Sequence, residues 1–133
     1  VINSTHFSSV KGGEGHDTLV WDSNNDLELG TVSGKISGIE AIHLGNNTAQ
    51  TLFISASDVL EITKDNGSEA NTLHITGDVG SSNNSNATDT VNIGKSEWTA
   101  SAAQTENGVN YDVYTNNDDT TVKLLIQHGL NVI

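Results

Sequence analysis

The chain has 133 residues, the size of one domain, and sets 17 acidic residues against five lysines and no arginine, for a formal charge of −12. Phosphate recognition depends on clustered Lys and Arg, so this balance argues against a nucleic-acid partner and against an anionic membrane surface. Cys is absent, which removes disulfides, Cys-based zinc sites and thiol catalysis. No apolar run approaches the ~20 residues that a membrane helix needs.

Ser, Thr, Asn and Gly together supply 58 residues, and only 34% of the chain is hydrophobic. So little apolar material predicts either partial disorder or a β architecture with a thin core, supported by something besides hydrophobic burial, such as a metal. Beginning at Val1 with no basic segment ahead of an apolar one, the sequence is expected to be a fragment without an N-terminal signal peptide.

Residues 1–11 read as a linker or the end of a preceding repeat region, and 12–133 as a single β domain. The first sharp motif is Gly12-Gly-Glu-Gly-His-Asp-Thr-Leu-Val20, which matches every fixed position of the calcium-binding nonapeptide G-G-x-G-x-D-x-U-x. The spacing follows from the ion. Calcium wants six to eight oxygens at about 2.3–2.6 Å, and glycine lets the backbone turn until its carbonyls converge with an Asp carboxylate. Gly13, Gly15 and Asp17 are therefore candidate metal-site residues, and Leu19 begins the strand behind them. A single copy supplies half of a shared site, so further ligands are sought at Asp22, Asp26, Asp78 and Asp89.

Beyond the motif, short alternating bursts rich in Thr, Val and Ile predict strands at Thr18 to Asp22, Leu27 to Val32, Ile39 to Leu44 and Thr51 to Ser55. Ser55 to Ile62 predicts one short helical turn, with Ser57 or Asp58 as N-cap. Thr72 to Thr76 is the next strand, followed by Gly77-Asp78, which resembles a degraded Gly-Asp turn. A Ser/Asn-rich loop then covers 80–88, and Asp89-Thr-Val reads either as the displaced continuation of that turn or as an ordinary strand start. Strands follow at Thr90 to Ile93 and Val109 to Thr115, with a possible turn around Glu97 to Ala100. Asn116-Asn-Asp-Asp119 predicts a hairpin turn into Thr121 to His128, which Leu130, Val132 and Ile133 extend.

A polar-Thr-apolar-x-apolar phrase recurs with its Thr at 18, 51, 72 and 90. The later spacings are about one coil of a β-solenoid, which favours an all-β, β-roll-like stack with a C-terminal hairpin over a β-sandwich. The alternation puts Leu19, Leu52, Leu73 and Val91 on an inner face, and Val20, Phe53, His74 and Asn92 on a mixed outer one.

Enzyme signatures are lacking, with neither a G-x-S-x-G elbow nor H-E-x-x-H, so the chain reads as non-catalytic. The five His residues are scattered, and Asp118-Asp119 reads as a solvated turn. Trp21, Trp98, Tyr111 and Tyr114 are read as core in preference to a sugar-stacking platform.

The nonapeptide, Ser37-Gly-Ile-Glu-Ala-Ile-His-Leu44, Asn46-Asn-Thr, Leu52 to Leu60, Asn71 to Asp78, Trp98 and Tyr111-Asp-Val-Tyr-Thr115 together resemble the C-terminal region of large RTX adhesins exported by type I secretion. The resemblance runs from about Gly12 to the end of the chain. It implies a calcium-binding structural module at the cell surface or secreted. It further implies neighbouring repeat domains in the same chain, contact with the type I secretion machinery, and folding outside the cell. The terminal strand from Val122 would then be part of the export signal or simply the strand that closes the fold. A ligand-binding adhesion module for sugar or peptide, or an accessory module of an extracellular polysaccharide-modifying enzyme, stands as the alternative.

Overall fold

A computed structural model describes residues 1–64, 71–80 and 87–133. The chain is mostly β. Among the described residues twelve strands form, in order, at Val10–Lys11 (β1), Thr18–Trp21 (β2), Leu27–Glu28 (β3), Ile36–Ser37 (β4), Ala41–Leu44 (β5), Thr51–Phe53 (β6), Thr72–Thr76 (β7), Thr90–Asn92 (β8), Trp98–Glu106 (β9), Val109–Asn116 (β10), Lys123–Gln127 (β11) and Asn131–Val132 (β12). The described residues also hold one α-helix, α1, at Ala56–Ile62, and 3-10 turns at Leu29–Val32 and Lys95–Glu97.

Two larger sheets share the strands by alternation. One has the order β2-β5-β7-β11-β10-β9 and the other β12-β8-β6-β3, while β1 and β4 pair separately. Each pass of the chain lays one strand on the first sheet and the next on the second: β2 then β3, β5 then β6, β7 then β8, β11 then β12. Those pairings are all parallel, and β9, β10 and β11 are joined antiparallel.

Register places like on like. Leu19 lies opposite Ile42, Ile42 opposite Ile75 and Ile75 opposite Ile126; on the second sheet Leu27, Leu52, Val91 and Val132 line up. Both ladders of aliphatic side chains point between the sheets, where Ile42, Leu52, Leu73, Ile75, Val91, Leu124 and Ile126 have no exposed surface. Stacking makes a few apolar residues sufficient: each side chain touches equivalents above and below as well as the facing sheet, so a chain poor in hydrophobics still excludes water. The inner and outer faces expected from the alternation hold, with Phe53 exposed and Val20, His74 and Asn92 half-buried.

Several expectations need correction. The recurring Thr phrase falls alternately on the two sheets, at β2, β6, β7 and β8. Its short spacings therefore join strands of different sheets. Successive strands of the first sheet begin at 18, 41, 72 and 123, much more widely than the phrase suggests. The burst at Leu27 gives only two strand residues before a 3-10 turn, because Leu29 and Val32, one turn apart, both bury inward. Trp98 to Ala100 is strand, and the turn precedes it at Lys95–Glu97.

The helix forms where expected but is capped earlier. Ser55 is the N-cap, accepting the Asp58 N–H, while the Asp58 carboxylate accepts the Ser55 N–H at 2.8 Å to complete a capping box. Val59 and Ile62, three apart, turn into the core and seat the helix beside β4. Residues 1–11 are tied to the fold: Ile2 bridges Trp21, and Val10–Lys11 pairs with Ile36–Ser37. The hairpin joins Tyr111–Thr115 to Lys123–Gln127 antiparallel, as the turn at Asn116 to Asp119 implies. Of the Ser/Asn loop, 81–86 lies outside the described residues.

Candidate functional site

The corners of the stack, where the chain leaves a strand and bends, strand backbone N–H groups without ladder partners. Carboxylates from neighbouring turns meet this need at three corners. Glu40 Oε2 accepts the Asp17 N–H at 2.7 Å, Asp26 Oδ1 accepts the Thr51 N–H at 2.8 Å, and Asp89 accepts both the Gln50 N–H at 2.9 Å and the Asp78 N–H at 2.7 Å. Part of the acidic excess is thus built into the turns.

The nonapeptide forms the first of these corners. Gly13 and Gly15 adopt φ of 102° and 112°, in the left-handed range that favours glycine, and a Cβ on either would touch nothing within 4 Å. Both glycines are therefore required for the path of the backbone. Gly12 differs, because a Cβ there would fall 1.8 Å from the Gly38 carbonyl oxygen and 2.9 Å from Asp17 Oδ2. Its bare Cα lets that carbonyl and that carboxylate both pack against it. The Asp17 carbonyl accepts N–H groups from Glu40 and Ala41, each at 3.1 Å. Asp17 Oδ2 is buried and has no hydrogen-bond partner.

Asp78 and Asp89 form a second corner. The Asp89 N–H donates to the Asp78 carbonyl at 2.8 Å, answering the bond from the Asp78 N–H to Asp89 Oδ2. Asp89 is fully buried, and burial, more than any other cause, raises its carboxyl above the usual carboxylate range; the Asp78 charge pushes the same way, while the two N–H donors oppose. Asp78 Oδ2 is buried without a partner. The strand-start role considered for Asp89 is what its hydrogen bonds perform.

The five candidates do not meet at one centre. Thr18 is in register with Ala41 and Ala41 with His74, so Asp17 precedes the first sheet while Asp78 follows it. The two lie roughly 15 Å apart along the strands at ~3.3 Å per residue. Among the described residues, no group of three or more His, Asp or Glu is placed to hold a metal ion. Any ion at either corner would lean on backbone carbonyls as well as on carboxylates.

Sequence reasoning overlooked Glu40. It is 1% exposed, and Oε1 has no hydrogen-bond partner. A charged residue set between Ile39 and Ile42, both buried, is the signal that marks it.

On the outer face of the first sheet, His74 Nε2 meets Glu106 Oε2 at 2.7 Å, and the His74 ring makes edge contacts with His16, from the nonapeptide, and with Tyr111. Tyr111, Val113 and Leu125 make a small second core beside them. Trp21, Trp98, Tyr111 and Tyr114 are all buried, and the indole N–H groups of Trp21 and Trp98 donate to the Asn25 and Ile93 carbonyls. These rings are core and offer no stacking platform.

Compared with protein-family models, with curated proteins and with solved structures, the chain matches none.

Proposed function

We propose that this chain is a non-catalytic structural module, a short β-solenoid whose folding is completed by calcium at the nonapeptide corner. The observation that carries the reading is the buried, unpartnered Asp17 Oδ2, packed together with the Gly38 carbonyl oxygen against Gly12, an approach that any side chain at position 12 would block. A carboxylate oxygen out of water and without a donor is costly, and a hard cation relieves that cost where backbone carbonyls stand nearby. Gly13 and Gly15 shape the turn, and Asp17 supplies the charge. Calcium, when bound, contributes oxygen coordination and charge neutralisation. Parallel pairing through four successive passes supports the solenoid reading over a sandwich.

The same reading accounts for the charge of −12. Carboxylates crowded with few cations repel one another, and an ion that binds only the folded form shifts folding by mass action. Extracellular calcium modules bind at roughly 10⁻⁴–10⁻³ M, a range suited to a chain that stays unfolded in the cytosol and folds outside. This agrees with the resemblance to the C-terminal region of type I secreted RTX adhesins. It implies a secreted or surface location, neighbouring repeat domains and contact with the export machinery. Burial of the four large aromatic rings weighs against the sugar-binding alternative.

Circular dichroism and thermal melting, with millimolar calcium and with excess chelator, test the proposal. Calcium should raise the melting temperature and sharpen the transition. Identical folding in both conditions would overturn it.

A further inference from the structure

Three features of the Glu40 corner have one explanation. Glu40 is almost wholly enclosed and yet carries an oxygen, Oε1, with no donor; Asp17, beside it, carries a second such oxygen, Oδ2. The two residues are held together by the Asp17 N–H to Glu40 Oε2 bond at 2.7 Å and by the return bond from the Glu40 N–H to the Asp17 carbonyl at 3.1 Å. No positive side chain answers them: the chain has no Arg, and the ion pairs among the described residues are His74 with Glu106 and His128 with Asp112.

Two carboxylate oxygens from successive passes, Asp17 Oδ2 and Glu40 Oε1, are thus out of water with neither a donor nor a counter-charge, an arrangement that is costly unless something answers it. Simple backbone capping explains only Glu40 Oε2, because Oε1 contributes nothing to it. A neutral Gln would accept the same N–H. The Gly38 carbonyl, packed with Asp17 Oδ2 against Gly12, supplies a further oxygen at the corner.

We infer that Glu40, from the neighbouring pass of the chain, is the second anionic ligand of the cation held at Asp17, so that the lone nonapeptide is completed from within this chain without a second copy of the motif. This rests on the calcium reading and extends it to a residue outside the motif. Glu40 thereby joins two successive turns through the ion, and calcium acts as a clamp between β2 and β5.

The test is calcium titration of the whole 133-residue chain by calorimetry, with Glu40→Gln, Asp17→Asn and Asp89→Asn beside the wild type. Wild type should bind, Glu40→Gln should weaken binding at least about tenfold, as loss of a ligand does, and Asp89→Asn, if it folds, should stay within about twofold. No binding by the wild type would overturn the calcium reading and the inference with it. Glu40→Gln binding like wild type while Asp17→Asn fails would overturn the Glu40 assignment alone. Should Glu40→Gln not fold, 13C NMR of glutamate-labelled wild type decides. One buried Glu Cδ resonance moving with calcium supports the assignment, and none moving overturns it.

Discussion

Gly77 lies so close to Asp89 that a Cβ on the glycine would stand 2.6 Å from Asp89 Oδ2, the oxygen that accepts the Asp78 N–H. Gly12 stands in the same relation to Asp17 at the opposite end of the strands. The side chain of Asp89 cannot swing aside without giving up its two backbone donors. Gly77→Ala should therefore lower stability by about 1–3 kcal/mol, the cost of a buried donor left without its acceptor. Gly30→Ala, where a Cβ meets nothing within 4 Å, should change stability by less than about 0.5 kcal/mol. Urea titrations of the two variants check the contrast.

Asp89 gives a pH signature with a definite sign. Its folded carboxyl is raised, first by burial, so ionising it costs more in the folded chain than in the unfolded one. The stability it contributes is complete below the ordinary value of 3.8 and is lost as pH climbs through the raised folded value. The wild type should accordingly hold its greatest advantage over Asp89→Asn in acid and a smaller one at neutral pH. Denaturation of both proteins in chelator, from acid to neutral, checks it; an advantage that grew with pH would contradict the assignment.

The residues that announced themselves in the sequence were those obeying a local rule. Gly13 and Gly15 are fixed by a backbone path, Leu19, Leu52, Leu73 and Val91 by alternation, and the helix by the spacing of Val59 and Ile62 after a polar start, although its cap proved to be Ser55. What stayed hidden depends on which strands become neighbours. Glu40 is remote from Asp17 in sequence and meets it only because β5 lies beside β2. The Thr phrase misled for a related reason: a strand facing inward needs the same local pattern on either sheet, so pattern alone does not say which sheet it joins. Passes of unequal length then hide the true spacing.

The stacked ladders make position within a strand decisive. Leu52 is fully buried between Leu27 and Val91, whereas its neighbour Phe53 is 38% exposed. Leu52→Ala should cost about 2–5 kcal/mol, a large share of the stability of a typical domain, even though it removes the smaller side chain. Phe53→Ala should cost less than about 1.5 kcal/mol, since much of the ring is already in water. Thermal melts followed by circular dichroism would separate them.

His74 and Glu106 fasten the end of β9 to the outer face of β7, three strands away in the sheet. The pair is partly exposed, so Glu106→Gln should cost no more than about 1 kcal/mol in global stability. Its effect should be local. Backbone amides of β9 and β10 near Val109 should exchange with solvent faster, while those of β5 and β7 keep their protection. Hydrogen exchange read residue by residue by NMR distinguishes this from a general loss of stability.

The alternation of strands between two sheets also determines how the molecule would bear a load. β2 and β3 stand at one end of the parallel stack and β12 at the other, so the two chain termini approach it from opposite ends. Tension applied between them would run along the stack, in line with the hydrogen bonds that join one pass to the next. Such bonds yield in succession, so the molecule would lengthen by releasing a pass at a time. The antiparallel β9–β10 hairpin continues the first sheet beyond β11, past the last parallel pass. A cation bridging Asp17 and Glu40 would sit across the first of these joints, and calcium would then set the force at which extension starts.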